Sequence, residues 1–408
     1  MPYIDDKAFE LLLSLPPFPF TRYVRPQKAQ LRLAKEAFIT HGELPRFSFP
    51  RAEGCDTADY VRQLNRVSDE LANIELPEAA RILYEEKIAE LTTRCNLVQA
   101  IQRNDDITVS ALSEQLYGSP LQQARELTDE FGDVLARASH MYRHREPVNA
   151  ELFTEMVRRV FAHYDFSNWR IAETSSPSVR IGRTTLNQHQ PSIYIPRSLK
   201  ITRSRAARLL THEIEVHALR TENGERSALR LLSRGLAGYT RTDEGLAVFY
   251  QQKLRTPEAI DAGFWDAWAT ALTTELAFKD VYTTLHDAQL KLGRAIGDPD
   301  PEHRAQDAAW RLCARVYRGI HNPNQPGVGY MRDHVYRSGL SEVRRLIEAS
   351  GEDVITKLFV GHANISHLGY LQELGITSAR TPDMIGKKIV DEVMREHRKR
   401  AGSSKAQS

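Results

Sequence analysis

The sequence has 408 residues, of which 41% are hydrophobic and 26% charged. This is ordinary for a globular protein, so extensive disorder is excluded and we expect two or three domains or one large helical assembly. A formal net charge of +2 gives no electrostatic reason to expect nucleic acid or an anionic membrane as partner. Widely spaced cysteines, no signal-peptide pattern and no long apolar run predict a cytoplasmic protein without membrane spans.

The first 147 residues divide into a proline-rich arm and a helical region. Prolines interrupt residues 1–57, where only 27–41 has a helical pattern, so we predict an arm that lies over a larger body. From 58 to 147 apolar residues recur at three and four positions, as at Tyr60 and Leu64. This spacing predicts a helical N-terminal region.

Three short segments after Val148 carry the convincing strand pattern of the chain. They follow a helix that ends near Tyr164 and are separated by turn residues. We therefore predict a small antiparallel sheet in an otherwise helical chain, and an α+β, mostly helical fold class. The predicted strands are 169–173, 179–183 and 192–196.

Helices dominate again after the predicted sheet. One is expected from about 203 to 221, with Thr202 or Ser204 as its N-cap and Asn223-Gly224 at its end. A later helix is predicted to begin at Thr242 as N-cap. The polar residues 398–408 are expected to form a disordered tail.

A histidine and glutamate motif lies inside the helix predicted at 203–221. His212 and His217 flank Glu213 in the pattern H-E-x-x-x-H, one residue longer than the H-E-x-x-H of zinc peptidases. On a regular α-helix, positions five apart point about 140° from each other and cannot bind one ion. A π-type turn, which closes i to i+5, would return both imidazoles to one face. The spacing therefore predicts a π-type turn between the two histidines.

A third metal ligand is expected from the helix predicted to begin at Thr242. A hydrolytic zinc site uses three protein ligands, and two histidines with one carboxylate are an established set. We take Glu244 as this carboxylate, because the adjacent Gly245 lets two helices approach closely. Asp243 is the alternative ligand. The competing interpretation is that both histidines are ordinary polar residues of a surface helix.

Glu213 is predicted to act as general base and not as a ligand, because its neighbour His212 already points at the metal. In that role it takes a proton from the attacking water and passes it to the leaving amine. Zinc brings the pKa of such a water to about 7, so one carboxylate is enough to complete its activation.

Other acidic and histidine residues are given no metal role. Glu215 and Glu222 could accept hydrogen bonds from ligand imidazoles, but we expect both at solvated helix positions. His362 and His367 repeat the five-residue spacing without a glutamate between them. We expect them at loop or packing positions and not among the ligands.

Four motifs resemble, when taken together, a family of zinc metallopeptidases. They are His212-Glu213-x-x-x-His217, Asn223-Gly224, Glu244-Gly245-Leu246-Ala247 and Arg332-Asp333-His334-Val335-Tyr336-Arg337-Ser338-Gly339. The eukaryotic members of this family include the microtubule-associated tyrosine carboxypeptidases, and its bacterial members carry a Gln-Glu-Gly-Leu-Pro motif. The resemblance implies a gluzincin-like catalytic domain with one zinc ion per chain. It also implies ligand roles for His212, His217 and Glu244, and a catalytic role for Glu213.

The resemblance also raises the question of which residues bind the substrate. A carboxypeptidase must hold a terminal carboxylate and donate hydrogen bonds to an oxyanion. Arg180 and Arg183 are candidates for the carboxylate, since zincin-like sites bind extended peptide along an edge strand; a solvated strand face is the alternative. Tyr336 is a candidate oxyanion donor or wall of an aromatic pocket, and the alternative is a core tyrosine with a satisfied hydroxyl.

The sequence thus predicts a zinc-dependent metallocarboxypeptidase whose catalytic domain spans 148–397. It would remove a C-terminal, tyrosine-like or other aromatic residue from a peptide or protein. Tubulin is not expected as substrate, because this chain lacks a long basic N-terminal extension of the kind that could hold an enzyme on microtubules. Asp243 and Ala247 replace the Gln and Pro of many bacterial relatives, which leaves the zinc ligand intact. Two functions stay open: a regulatory or binding protein with structural zinc, and a zinc hydrolase of a non-peptide amide.

Overall fold

The structure is a computed structural model and describes residues 3–52, 57–120, 123–138, 147–176, 178–182, 190–255, 260 and 262–405. The chain divides into two compact units. Unit 1 comprises Met1–Asp5, Arg143–Glu258 and Glu342–Ser408, and unit 2 comprises Asp6–Tyr142 and Ala259–Ser341. None of the described helices combines the length and apolar character that a membrane span requires.

Helices make up most of the described chain. The α-helices in chain order are α1 (Asp6–Leu13), α2 (Phe20–Tyr23), α3 (Lys28–His41), α4 (Thr57–Leu71), α5 (Glu78–Gln102), α6 (Asp106–Tyr117), α7 (Gln123–Arg137), α8 (Ala150–Tyr164), α9 (Arg203–Leu209), α10 (Leu219–Glu225), α11 (Leu231–Arg234), α12 (Tyr239–Lys253), α13 (Phe264–Thr273), α14 (Phe278–Ala295), α15 (Pro301–Val316), α16 (Val335–Ser350), α17 (Ile355–Leu358), α18 (Leu368–Glu373) and α19 (Gly386–Lys405). A π-helix spans Leu210–Ala218, and 3₁₀ helices span Met331–His334, Glu352–Val354 and Ile365–His367.

Two small sheets are present in the described part of unit 1. Their strands are β1 (Val148–Asn149), β2 (Arg170–Thr174), β3 (Arg180–Gly182), β4 (Ser192–Pro196) and β5 (Lys200–Ile201). β1 pairs antiparallel with β5, and the other sheet has the order β2-β4-β3. The buried strand β4 lies between the other two; its pair with β3 is antiparallel, as predicted, whereas its pair with β2 is parallel. The predicted α+β, mostly helical fold with a small sheet is confirmed.

The core of unit 1 joins the sheet to the helices around it. Ile193 and Ile195 of β4 are buried with Phe153 and Val157 of α8. Leu210, Ile214 and Val216 of the π-helix belong to the same cluster, as do Val390 and Met394 of α19. The π-helix is therefore an internal element, and its polar side chains must find partners inside the protein.

Unit 2 has its own helical core. Phe278 and Trp310, from α14 and α15, are buried with Leu97 and Ile101 of α5. Within the N-terminal arm the sequence predicted only one helix, which is present as α3. α1 and α2 were missed because they are short, with 8 and 4 residues. At the other end of the chain, α19 runs on to Lys405, so the structure is helical over most of the segment for which a disordered tail was predicted.

Candidate metal centre

The histidine motif lies on a π-helix. Helix α9 begins after Thr202, whose hydroxyl accepts a hydrogen bond from the backbone N–H of Arg205 at 3.1 Å. From Leu210 to Ala218 the chain is a π-helix, in which i to i+5 bonds replace i to i+4 bonds. The rings of His212 and His217 consequently lie on one face, with centroids 4.7 Å apart and planes at 83°. The predicted π-type turn is confirmed.

Glu215 anchors the π-helix from its buried side. Its carboxylate accepts hydrogen bonds from the hydroxyls of Tyr164 (3.0 Å) and Thr211 (2.8 Å) and from the backbone N–H of Ile385 (2.8 Å). Gly386, the first residue of α19, donates a further bond at 3.3 Å, so the carboxylate also lies at a favourable helix N-terminus. The prediction of a solvated Glu215 is wrong, because partners distant in sequence replace the water.

Three side chains converge beside the π-helix. Nε2 of His212 lies 3.3 Å from Oε2 of Glu244, and Nε2 of His217 lies 3.6 Å from the same oxygen. Both histidines are buried and Glu244 is nearly so. Within the described residues, these three form the cluster of metal-ligating side chains that could hold an ion, with donor atoms within 4.8 Å of one another.

The spacing of these atoms fits one tetrahedral ion. Two ligand atoms bound to zinc at its usual distances are about 3.3–3.6 Å apart, which matches both separations from Glu244. Oε2 of Glu244 is buried, and no described group donates a hydrogen bond to it. A cation at this point would satisfy an acceptor that is otherwise costly to bury. Two imidazoles and a carboxylate are therefore in place for a metal ion.

Glu244 is supplied by helix α12, which begins earlier than predicted. Gly238 precedes the helix in a left-handed conformation, with φ of 62°, which a residue without a side chain adopts easily. Thr242 is therefore not the N-cap. It is buried within the helix, and its hydroxyl accepts a hydrogen bond from the backbone N–H of Ile365 at 3.1 Å.

Asp243 contacts His217 through the ring nitrogen that faces away from Glu244. Its Oδ2 lies 3.1 Å from Nδ1 of His217, while Nε2 of that ring points to Glu244. A carboxylate on the far nitrogen fixes the tautomer and orientation of a metal-binding imidazole. Asp243, the alternative ligand on sequence grounds, is thus placed to orient His217.

A buried arginine and a histidine hold Asp243 in turn. Arg220 donates from one guanidinium nitrogen to Oδ1 of Asp243 and from the other two to the carbonyls of Leu358 (3.0 Å) and Ala363 (2.8 Å). Nδ1 of His362 lies 3.2 Å from Oδ1 of Asp243. Burial raises the pKa of Asp243, but His217, His362 and Arg220 hold it well below its ordinary value.

The electrostatics of the cluster favour a positive charge at its centre. Burial lowers the pKa of His217, but Asp243 and Glu244 raise it well above its ordinary value. The pKa of Glu244 is lowered, because the two imidazoles outweigh the effect of burial. A metal ion and a proton compete for such a site, since a ligand imidazole must be neutral.

Glu213 lies beside the cluster and is less buried than either histidine. The pKa of its carboxyl is raised above the ordinary value by burial, and Glu244 adds to this. His212, His217 and the backbone N–H of Ile181 favour the charged form but do not cancel the shift. Ile181 belongs to the edge strand β3. The carboxylate therefore lies between the metal-ligand face of the π-helix and a strand edge.

Comparison with known families now adds to this geometry. A sequence model of the family described as "Microtubule-associated tyrosine carboxypeptidase" matches residues 36–253 and 300–384, which is most of the chain. The chain belongs to this family. The resemblance noted from its motifs is thereby confirmed, and both the H-E-x-x-x-H segment and the segment from Arg332 to Gly339 lie within the matched residues. A search of curated proteins finds no match.

The predicted substrate residues of this tyrosine carboxypeptidase family member lie in different parts of the structure. Arg180 is exposed on β3, with its guanidinium carbon 4.4 Å from the ring centroid of Tyr194 on β4. Arg183 lies outside the described residues. Tyr336 belongs to the part of α16 in unit 2, where its ring packs closely on Gly263. The structure thus brings together His212, His217, Glu244 and Glu213 in unit 1, with Arg180 on a strand of the same unit.

Several residues of the centre escaped the sequence interpretation. Nothing in the sequence indicated that Arg220 would bind Asp243, apart from its position about one helical turn after His217. His362 is fully buried in a loop, which agrees with the expected loop or packing position, but its contact with Asp243 was not foreseen. Its Nε2 lies 2.9 Å from the hydroxyl of Thr221. Glu222 is also not solvated, because the indole N–H of Trp169 donates to it at 2.7 Å.

Proposed function

We propose that this member of the tyrosine carboxypeptidase family is a zinc-dependent metallocarboxypeptidase. It removes a C-terminal residue, tyrosine or another aromatic, from a peptide or protein. The observation that carries the proposal is the convergence of His212, His217 and Glu244 on one point beside Glu213. Family membership supports cleavage at a C-terminus.

In the proposed enzyme, three side chains would bind the zinc ion and a fourth would orient one of them. His212, His217 and Glu244 would bind zinc, and Asp243 would keep the Nε2 lone pair of His217 directed at it. When bound, zinc supplies a Lewis acid that lowers the pKa of water and polarises the scissile carbonyl. Arg220 keeps Asp243 charged and fixed in place, so the orientation of the imidazole does not depend on solvent.

Glu213 moves the proton. Its carboxylate would take a proton from the attacking water and pass it to the amine that leaves. It is more exposed than the buried ligands on either side, so water and substrate can reach it. Burial raises the pKa of its carboxyl, which makes the carboxylate a stronger base, while the backbone N–H of Ile181 favours the charged form that accepts the proton.

The substrate would lie along β3. In the described sheet β3 is an edge strand, the kind of strand along which extended peptides bind. Arg180 and Arg183 remain the proposed partners of the terminal carboxylate, and Tyr336 remains the proposed oxyanion donor or pocket wall. The partner is then a peptide or protein C-terminus, with no role for nucleic acid or membrane.

The experiment is digestion of a peptide library with random C-terminal residues, with the products identified by mass. The zinc-loaded chain is expected to shorten peptides by one residue, fastest where that residue is tyrosine or another aromatic. The same library with C-terminal carboxamides is the control, since an enzyme that recognises the terminal carboxylate should leave it largely uncut. Internal cleavage, or no cleavage with zinc bound, would remove the carboxypeptidase assignment.

A further inference from the structure

Tyr194 and Arg180 form a pair on the face of the three-stranded sheet that is opposite the core of unit 1. The two residues are direct partners in the antiparallel pairing of β3 with β4, so their side chains project from the same face. The guanidinium carbon of Arg180 lies 4.4 Å from the centroid of the Tyr194 ring, which is within the range of a cation–π contact. Ile193 and Ile195, on either side of Tyr194 in β4, belong to the core.

A glycine two positions after Arg180 makes room for the Tyr194 ring. A Cβ at Gly182 would overlap Cε2 of Tyr194, so the ring occupies the space that a side chain at this position would need. Residues 180 and 182 share one face of β3, because side chains alternate along a strand. The ring therefore extends along β3 from Arg180 to Gly182, and contacts at both positions define where it lies.

The contact with Tyr194 defines the position of the Arg180 guanidinium and leaves its donors available. A guanidinium above an aromatic ring contacts it through one flat face, while its N–H donors lie in the plane of the group. Arg180 is exposed, and none of the carboxylates that the structure describes forms an ion pair with it. A side chain that is already held in place loses less conformational entropy when it binds a ligand.

The pair lies on the strand that contacts Glu213. The backbone N–H of Ile181, the residue after Arg180, donates to the Glu213 carboxylate. In a substrate of a carboxypeptidase, the scissile carbonyl and the terminal carboxylate are one residue apart, which is about 3.5 Å along an extended chain. The group that binds the terminal carboxylate must therefore lie near the residue that activates the water. Arg180 meets this requirement, because its backbone adjoins the amide that contacts Glu213.

We propose that Tyr194 is a positioning residue for recognition of the terminal carboxylate of the substrate. Its ring holds the Arg180 guanidinium in place, so that two N–H donors on one edge of the guanidinium can bind both carboxylate oxygens. The inference rests on the proposed function, because it takes Arg180 as the partner of that carboxylate. It assigns the effect to the aromatic ring of Tyr194 and none to its hydroxyl.

The test measures binding without turnover, in the zinc-loaded chain carrying Glu213→Gln. Calorimetric titrations use N-acetyl-Gly-Gly-Tyr and its C-terminal carboxamide as probes. Arg180→Gln should weaken binding of the free acid about 10- to 100-fold. Tyr194→Leu should weaken it about 2- to 5-fold, the size expected for the loss of one exposed cation–π contact. Tyr194→Phe keeps the ring and should keep the affinity, and none of these substitutions should change binding of the carboxamide.

Two further proteins complete the experiment. In Arg180→Gln, the added Tyr194→Leu substitution should cause no further loss of acid binding, because the two residues act through one contact. Phe249→Leu is the matched control. It removes another half-buried ring of unit 1 that lies under a cation, with Nζ of Lys253 4.9 Å from its centroid, and it should leave both affinities unchanged.

The outcomes separate this inference from the proposed function. A loss of acid binding in Tyr194→Leu that disappears in the Arg180→Gln background supports the inference even if the unsubstituted chain cleaves no peptide. An acid affinity that is absent, unaltered by Tyr194→Leu or lowered equally with that of the carboxamide overturns it, as does an equal loss in Tyr194→Phe. Cleavage of the peptide library would then leave the proposed function intact. If Tyr194→Leu does not fold, Tyr194→Met carries the same comparison.

Discussion

His217 and Asp243 lie with Nδ1 and Oδ2 3.1 Å apart. Asp243 and Glu244, adjacent on α12, therefore contact opposite nitrogens of one imidazole. This contact favours a proton on Nδ1 and leaves Nε2 free to bind a metal ion. In the proposed metal centre, Glu244 would therefore bind the ion and the adjacent Asp243 would orient the ligand His217.

Replacing Asp243 should weaken zinc binding without removing a ligand. Asp243→Asn keeps the size of the side chain but removes its charge, so zinc affinity should fall about 10- to 100-fold. Competition with a chromophoric chelator measures this affinity. Asp391→Asn, at an exposed position of α19, is the control. An unchanged affinity in Asp243→Asn would show that the contact with His217 does not support the metal.

Removing a ligand should abolish tight zinc binding. His217→Ala takes away one of the three donors, whereas His163→Ala removes an exposed histidine that contacts Asp383 at 2.7 Å. After dialysis against a weak chelator, the unsubstituted chain and the His163 variant should retain about one zinc per chain, and the His217 variant far less. Equal metal content in all three proteins would exclude His217 as a ligand.

Glu215 should matter for the stability of unit 1. Glu215→Gln replaces one acceptor oxygen with a donor that faces the hydroxyl of Thr211 and the N–H of Gly386. We expect a loss of about 1–3 kcal/mol in the free energy of unfolding, measured by urea denaturation of the zinc-free protein. Glu225→Gln, at an exposed residue near the end of α10, should change it little. A fully stable Glu215 variant would mean that these bonds do not anchor the π-helix.

Gly224 should be intolerant of a side chain. A Cβ at this position would lie 2.7 Å from the carbonyl oxygen of Leu232, a backbone atom that cannot move freely. Gly224→Ala should therefore destabilise the protein by about 1–3 kcal/mol. At Gly369 of α18, where a Cβ would meet nothing within 4 Å, the same substitution should be neutral or slightly stabilising. Similar melting temperatures for the two variants would argue against close packing at Gly224.

The spacing of His212 and His217, more than the residue types in the motif, predicted the local backbone structure. Five residues between two histidines can serve one ion only if the helix closes i to i+5, and the π-helix Leu210–Ala218 has this property. The three strands of the larger sheet were also found, because β-branched and aromatic residues between turn residues are a local signal, whereas the two-residue strands β1 and β5 were missed. These features depend on neighbours in sequence, which is why the sequence predicted them.

Hydrogen-bond partners that lie far apart in the chain could not be predicted from the sequence. Glu215 looked like a solvated helix position, but its donors come from Tyr164 and Ile385, 51 and 170 positions away. The role of Arg220 depends in the same way on Leu358 and Ala363. The start of α12 was also predicted wrongly. Threonine is a residue type that often forms an N-cap, but the helix begins earlier than Thr242, after Gly238 in a left-handed conformation.

The most direct test of the account is the zinc content and turnover of Glu213→Gln, measured in the same preparation. Glu213 is assigned to proton transfer and not to metal binding, so the variant should retain about one zinc per chain while turnover of a tyrosine-ended peptide falls about 10²–10⁴-fold. Glu225→Gln should keep both. Undiminished turnover with zinc bound would contradict the assigned role of Glu213, and loss of zinc together with activity would make Glu213 part of the metal site.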